Sequence, residues 1–218
     1  MKNFKAAIFD ADGTIIDSMY VWEKVDRDFL TGHGIPVTQE YSDAVKGMFF
    51  RTAAEYTKNT YSLSESVEEI MQTWLDMARH EYECNVKTKP CVKEYLAYLR
   101  ENDFRIGLAT SSDPYLLEPV LKNNGIHGYF DTVCYTSEVG KDKSFPDVYI
   151  RTAEKLEVEP EECMVFEDIP EGIEGAAKAG MYTIAVYDRA SAKNAGHLRK
   201  KAKKYILGFE EMLEAFNS

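Results

Sequence analysis

Positive charge is scarce in this chain. Twenty-six Lys and Arg stand against 37 Asp and Glu, a formal net charge of −11. Nucleic acid and anionic membranes both reward basic surfaces, so neither is an expected partner. Any anionic ligand would have to be drawn in by local cations, because the field of the whole molecule gives no help. Cysteine is sparse too. Cys84, Cys91, Cys134 and Cys163 are scattered without metal-ligand spacing and form no C-x-x-C pair, so the expectation is reduced thiols in a cytoplasmic protein. No secretory-type apolar segment precedes the first apolar run, and no run approaches the ~20 residues needed to span a bilayer. Internal repeats and low-complexity tracts are also missing. What remains is 218 residues, 44% apolar and 29% charged, enough for one large α/β domain or such a domain with a smaller insertion.

Short apolar runs recur at Lys5 to Phe9, Phe104 to Ala109, Thr132 to Tyr135, Cys163 to Phe166, Tyr182 to Val186 and, more weakly, Lys204 to Leu207. Runs of this texture suit parallel strands covered on both faces. Helical spacing separates them: Val92, Tyr95, Leu96 and Leu99; Leu116, Leu117, Val120 and Leu121, closed by Gly125; Val148, Thr152, Ala153 and Leu156; Ile173, Ala176 and Ala177, running to Gly180. Alternation of this kind predicts a doubly wound parallel α/β sheet, Rossmann-like in build. The stretch from about Asp17 to Lys87 breaks the alternation. It holds no convincing strand and reads as several helices, the last with an apolar stripe of Val67, Ile70, Met71, Trp74, Leu75 and Ala78. Ser62 and Glu65 just ahead of it suit a capping box. The organisation expected is a core of residues 1–16 and 88–218 with an all-helical insertion of residues 17–87. An insertion there would lie over the carboxyl ends of the strands, the edge where open α/β sheets place their active sites.

Chemistry-bearing residues cluster at those strand ends. Asp10 and Asp12, in Phe9-Asp10-Ala11-Asp12-Gly13-Thr14, follow the first strand. Two carboxylates so close repel, and burying them costs several kcal/mol unless a cation compensates. A divalent ion held by oxygen ligands is the simplest compensation. On its own the run is also a common polar turn. The second strand ends in Thr110-Ser111-Ser112 just before a helix, a hydroxyl and free backbone N–H groups suited to phosphate. Lys143 lies in Gly140-Lys141-Asp142-Lys143-Ser144-Phe145-Pro146-Asp147, and Glu167-Asp168 follow the fourth strand. Acid pair, hydroxyl, cation and second acid pair at one sheet edge have the composition expected of a Mg²⁺-dependent phosphoryl-transfer site.

These four motifs, in this order, resemble the haloacid dehalogenase superfamily, in the helical-cap subgroup that includes β-phosphoglucomutase-like phosphatases. F-D-x-D-G-T matches Phe9 to Thr14, and T-S-S matches Thr110 to Ser112. K-P-x-P-D appears as Lys143-Ser144-Phe145-Pro146-Asp147, which favours Lys143 over Lys141. The fourth motif matches Phe166-Glu167-Asp168 through Gly180-Met181, with Ile169-Pro170 in place of a serine-containing continuation. The resemblance implies Asp10 as nucleophile forming an aspartyl-phosphate and Asp12 as acid and base. It also implies Mg²⁺ on the Asp10 carboxylate, the Asp12 carbonyl and Asp168, with Glu167 ligating directly or through water. Thr110, the Ser111 amide and Lys143 would hold and neutralise the phosphoryl group. Ser18, Lys46, Gly47 and Arg51 are the substrate-contact candidates, Arg51 as a grip for a second polar group. Mutase-like relatives carry a histidine that falls on or near Trp22 here, whereas the nearby His33 lies between glycines and Lys24 is a poor match to a phosphonatase lysine. Hydrolysis of small phosphorylated metabolites, sugar phosphates first, is therefore expected over mutase activity or mere binding. The expected state is a cytoplasmic monomer.

Overall fold

The computed structural model describes residues 4–216. In chain order the elements are β1 (Ala6–Phe9), α1 (Val21–Gly32), α2 (Gln39–Val45), α3 (Phe50–Tyr61), α4 (Val67–Cys84), α5 (Val92–Glu101) and β2 (Arg105–Thr110). Then come α6 (Pro114–Asn123), β3 (Thr132–Tyr135), α7 (Thr136–Val139), α8 (Asp147–Leu156), β4 (Cys163–Glu167), α9 (Pro170–Lys178), β5 (Tyr182–Val186), α10 (Ala195–Lys201), β6 (Lys204–Ile206) and α11 (Glu210–Phe216). The strands form one sheet in the order β3-β2-β1-β4-β5-β6, every pair parallel. This is the doubly wound α/β arrangement that the alternating pattern predicts. The chain divides into two compact units, Met1–Met19 with Val86–Ser218, and Tyr20–Asn85.

In the α/β unit the central strands are wholly buried: all four residues of β1 have no exposed surface, and β4 is buried throughout. Two strands run one residue further than their apolar runs. β2 continues to Thr110 and β4 to Glu167, because each polar end residue still has a ladder partner, Tyr135 and Ala185 respectively. Both motif residues are thus fixed by the sheet itself. β6 stops at Ile206, leaving Leu207 61% exposed past the last rung. Gly107 of β2 has no room for a side chain, since a Cβ there would lie 2.7 Å from the Thr152 methyl carbon. That close approach seats α8 directly on the strand.

The helical unit packs around Trp74, which meets Phe29 edge-on at 5.7 Å and Phe50 at 5.8 Å between ring centroids. Ile70, Trp74 and Ala78 of the expected stripe are buried, and Val67, Met71 and Leu75 are half-buried. The capping box is not the expected one. Ser66 and Glu69 form it, each side chain bonding the other's backbone N–H. Ser62 instead ends α3 in a left-handed conformation (φ 52°), and Glu65 bonds His33. Two consecutive S-x-x-E patterns stand in the sequence, and the one adjoining the apolar stripe is used. Among the described residues, no helix is long and apolar enough to cross a membrane.

Candidate active site

Strand register brings the acids together. Phe9 pairs with Phe166 across β1 and β4, so the residues that follow, Asp10 and Glu167, emerge side by side. The Asp10 N–H closes the ladder on the Phe166 carbonyl at 3.0 Å. Beneath them the Phe9 and Phe166 rings stack at 4.6 Å, 13° from parallel. Asp168 reaches the same point because Gly13 leaves space for it. Gly13 has φ +80°, and a Cβ there would lie 2.7 Å from Asp168 Oδ2, so a side chain would be both strained and obstructed. The Thr14 hydroxyl is 3.1 Å from Asp10 Oδ2 and 3.3 Å from Asp168 Oδ1. It ties the first motif to the fourth.

Lys143, 5% exposed, donates to Asp10 Oδ1 and to Glu167 Oε1, the latter at 2.6 Å. It gets there because the carbonyls of Lys143 and Phe145 lie against the α-carbon of Gly175, in space a Cβ would fill. Glu167 Oε1 also accepts the Tyr149 hydroxyl at 2.8 Å. On the other side Asp12 accepts the Ser18 hydroxyl at 2.5 Å and the Ser112 hydroxyl, and Ser112 accepts from the Thr110 hydroxyl at 2.9 Å. A hydroxyl chain therefore links Thr110 to Asp12. Thr110 is not a helix cap: Asp113 caps α6 through the Tyr115 N–H at 2.8 Å, and the Thr110 oxygen accepts the Ser112 N–H at 3.0 Å. Ser111 is exposed beside it.

The charges do not balance. Asp10, Glu167 and Asp168 are buried, each with a carboxylate oxygen within 4.8 Å of the others, and Lys143 is the cation that bonds the first two. Burial outweighs the attraction of Lys143 and holds the Asp10 carboxyl above the usual range. Burial likewise pushes Glu167 up to about 7 despite Lys143, and pushes Asp168, with help from Asp10 and Glu167, to about 8. Burial alone would lower Lys143, but Asp10 and Glu167 carry it above an ordinary lysine. Glu167 Oε2 and Asp168 Oδ2 are buried with no hydrogen-bond partner among the described residues. Three buried carboxylates, two partnerless oxygens and an uncompensated charge fit a hard divalent cation such as Mg²⁺.

Asp10, Lys143, Glu167 and Asp168 thus share one hydrogen-bonded network, which runs through Thr14, and Asp12, Ser18 and Thr110 share a second, which runs through Ser112. Arg51, Lys46, Gly47 and Trp22 belong to the helical unit. Arg51 is exposed and engaged by Glu68 at 2.6 Å and Glu55 at 3.4 Å; Gly47 turns the chain after Lys46 with φ +88°; Trp22 meets Phe50 edge-on at 5.4 Å. Sequence reasoning misses Tyr149 and the Ser112–Asp12 bond. A tyrosine amid the apolar stripe of α8 is the signal for the first; nothing local marks the second.

Residues 7–186 match the family of haloacid dehalogenase-like hydrolases. The chain is 26% identical over 180 residues to a phosphorylated carbohydrates phosphatase of Thermotoga maritima, covering 83% of each chain. It is 29% identical to hexitol phosphatase B of Escherichia coli, over 85% of this chain and 84% of that one. Among solved structures, a haloacid dehalogenase family hydrolase from Deinococcus radiodurans with bound phosphate and sodium superimposes with a TM-score of 0.77 at 21% identity, covering 99% and 96%. CbbY from Rhodobacter sphaeroides with phosphate does so with a TM-score of 0.75 at 18% identity, covering 96% of each. The structural likenesses speak to the fold.

Proposed function

The chain belongs to the haloacid dehalogenase-like hydrolase family, and from that premise we propose that it is a Mg²⁺-dependent phosphatase of small phosphorylated carbohydrates. The observation that carries the reading is the buried Asp10, Glu167 and Asp168 cluster, bonded by Lys143 and flanked by a separately held Asp12. The substrate class is supported by the names of the phosphatases it resembles in sequence.

Asp10 is the nucleophile. Its carboxylate oxygen bonds to phosphorus as the bond to the leaving oxygen breaks, and Asp12 gives that oxygen its proton. In the second half Asp12 takes a proton from the attacking water, the Asp10–phosphorus bond breaks, and phosphate departs. The Asp10 and Asp168 carboxylates, the Asp12 carbonyl and Glu167 would hold Mg²⁺, which would neutralise charge on the nucleophile and the phosphoryl oxygens. Lys143 orients Asp10 and adds a fixed positive charge; Thr110 and the Ser111 amide hold phosphoryl oxygens. The Ser18 and Ser112 hydroxyls can turn from donor to acceptor, which lets them hold Asp12 in either protonation state. Trp22, packed on Phe50, offers no proton-handling group, which favours hydrolysis over the mutase reading.

Phosphate release from a panel of hexitol, hexose and other small phosphate esters, with and without Mg²⁺, tests the proposal. The expected result is metal-dependent release, greatest with carbohydrate phosphates. Transfer of glucose 1-phosphate to glucose 6-phosphate without phosphate release would replace it with the mutase.

A further inference from the structure

Lys89 takes no part in the chemistry above, yet its ammonium is fully engaged. It donates to the Gly13 carbonyl, to the Tyr187 carbonyl at 2.8 Å and to Asp188 Oδ2 at 2.9 Å, one acceptor for each of its three hydrogens. The acceptors come from the loops that follow β1 and β5. The Lys89 main chain is also anchored, its N–H donating to the Ile15 carbonyl at 2.9 Å. Nor is Asp188 free to swing. It is 6% exposed, and its Oδ1 accepts the Ala190 N–H at 2.7 Å.

The point that Lys89 grips matters. Gly13 donates its N–H to the Ile16 carbonyl at 3.0 Å. In a trans peptide the N–H and C=O point in opposite directions, so that bond aims the Asp12 carbonyl away from Ile16. Lys89 fixes the next peptide plane through the Gly13 carbonyl. Between the two fixed planes sits the Gly13 α-carbon, with φ +80° and directly against the Asp168 carboxylate. A lysine held by two carbonyls and a buried carboxylate, with 14% of its side chain exposed, is not a solvated surface charge.

We propose that Lys89 is a positioning residue for metal binding: it clamps the Gly13 peptide so that the Asp12 carbonyl and the Asp168 carboxylate converge on one point. The proposal rests on the Mg²⁺-dependent reading, and its test separates the two. Titration calorimetry with Mg²⁺ alone on metal-free wild type, Lys89→Met, Lys89→Arg and Asp168→Ala reads affinity without turnover. In Lys89→Met the Kd for Mg²⁺ should rise about tenfold or more, the scale on which groups that orient metal ligands act. Lys89→Arg, which keeps the cation, should recover part of it. At saturating Mg²⁺ the KM for substrate should stay within about twofold, since the clamp acts on metal ligands rather than on substrate contacts. Wild-type affinity in Lys89→Met, with only its melting temperature lowered, would reduce Lys89 to a structural residue and overturn the proposal. Should Lys89→Met not fold, Asp188→Ala removes one of the three acceptors; an unchanged Kd there would overturn it equally. Failure of the wild type to bind Mg²⁺, or wild-type binding by Asp168→Ala, would overturn the metal reading and the role of Lys89 with it.

Discussion

Tyr149 donates its hydroxyl to Oε1 of Glu167 at 2.8 Å, on the same oxygen that Lys143 contacts at 2.6 Å. Burial, followed by the charge of Glu167, holds the Tyr149 hydroxyl far above its ordinary pKa, so it is a donor at any working pH. With Oε1 engaged twice, Oε2, which has no hydrogen-bond partner among the described residues, is the oxygen a metal would meet.

Tyr149→Phe removes that donor and leaves the ring in place. The Mg²⁺ concentration for half-maximal activity should rise about tenfold, with the fold retained. A Mg²⁺ titration of phosphate release checks this. An unchanged midpoint would show that Lys143 alone orients Glu167.

Gly172→Ala sets two effects against each other. Within a helix alanine is favoured over glycine by about 1 kcal/mol, yet a Cβ here would run into the Glu167 carboxylate. The collision should win, because Glu167 is held on its other side by Lys143 and Tyr149. The expected outcome is a lower melting temperature and an activity loss of about tenfold or more. A stabilised, fully active variant would mean that Glu167 has room to move.

How much of this was legible in the sequence follows from chain distance. The strands were readable because buried parallel strands are written as continuous apolar runs. Asp10 was readable because it follows one directly, with Asp12 two residues on. The clasp of Lys89 on Gly13 spans 76 residues and that of Ser112 on Asp12 spans 100, and neither leaves a local pattern. One spacing rule fits both Ser62–Glu65 and Ser66–Glu69, so spacing alone does not pick the capping box; the start of the helix at Val67 and the left-handed backbone at Ser62 give it to Ser66 and Glu69.

His33 should make the helical unit sensitive to pH. Its Nδ1 is 2.9 Å from the Phe29 carbonyl and its Nε2 is 2.6 Å from Glu65 Oε1. Neither partner can donate, so both ring nitrogens must carry hydrogen. The Phe29 bond, then Glu65, raises the His33 pKa above 6.5. The His33 bond, then the Glu65 backbone, lowers Glu65 to about 2. Histidine gains pKa on folding, so its share of stability is present below about 6.5 and is lost as pH rises through the folded value. Glutamate loses pKa on folding, so its share is present above about 4.5 and is lost as pH falls toward 2. The pair should therefore be strongest between those limits. Urea melts of wild type and His33→Gln across pH should differ most in that window and converge above it; a gap independent of pH would contradict the charged pair.

Phe9→Ala opens a void beneath the nucleophile, where Phe9 stacks on Phe166 and meets Phe209 at 6.1 Å. A loss of about 3–5 kcal/mol is expected from chemical denaturation. A loss below about 1 kcal/mol would mean that the neighbouring rings refill the space.

On the proposed mechanism, Asp10 accepts the phosphoryl group. Rapid acid quench of the enzyme during turnover of a carbohydrate phosphate, followed by peptide mapping by mass spectrometry, tests it most directly. The expected result is a phosphoryl group on the peptide bearing Asp10 in the wild type, and none in a folded Asp10→Asn variant whose turnover has fallen by about 10³-fold or more. Phosphate release by Asp10→Asn at near wild-type rate, or a phosphoryl group mapped to another residue, would contradict it.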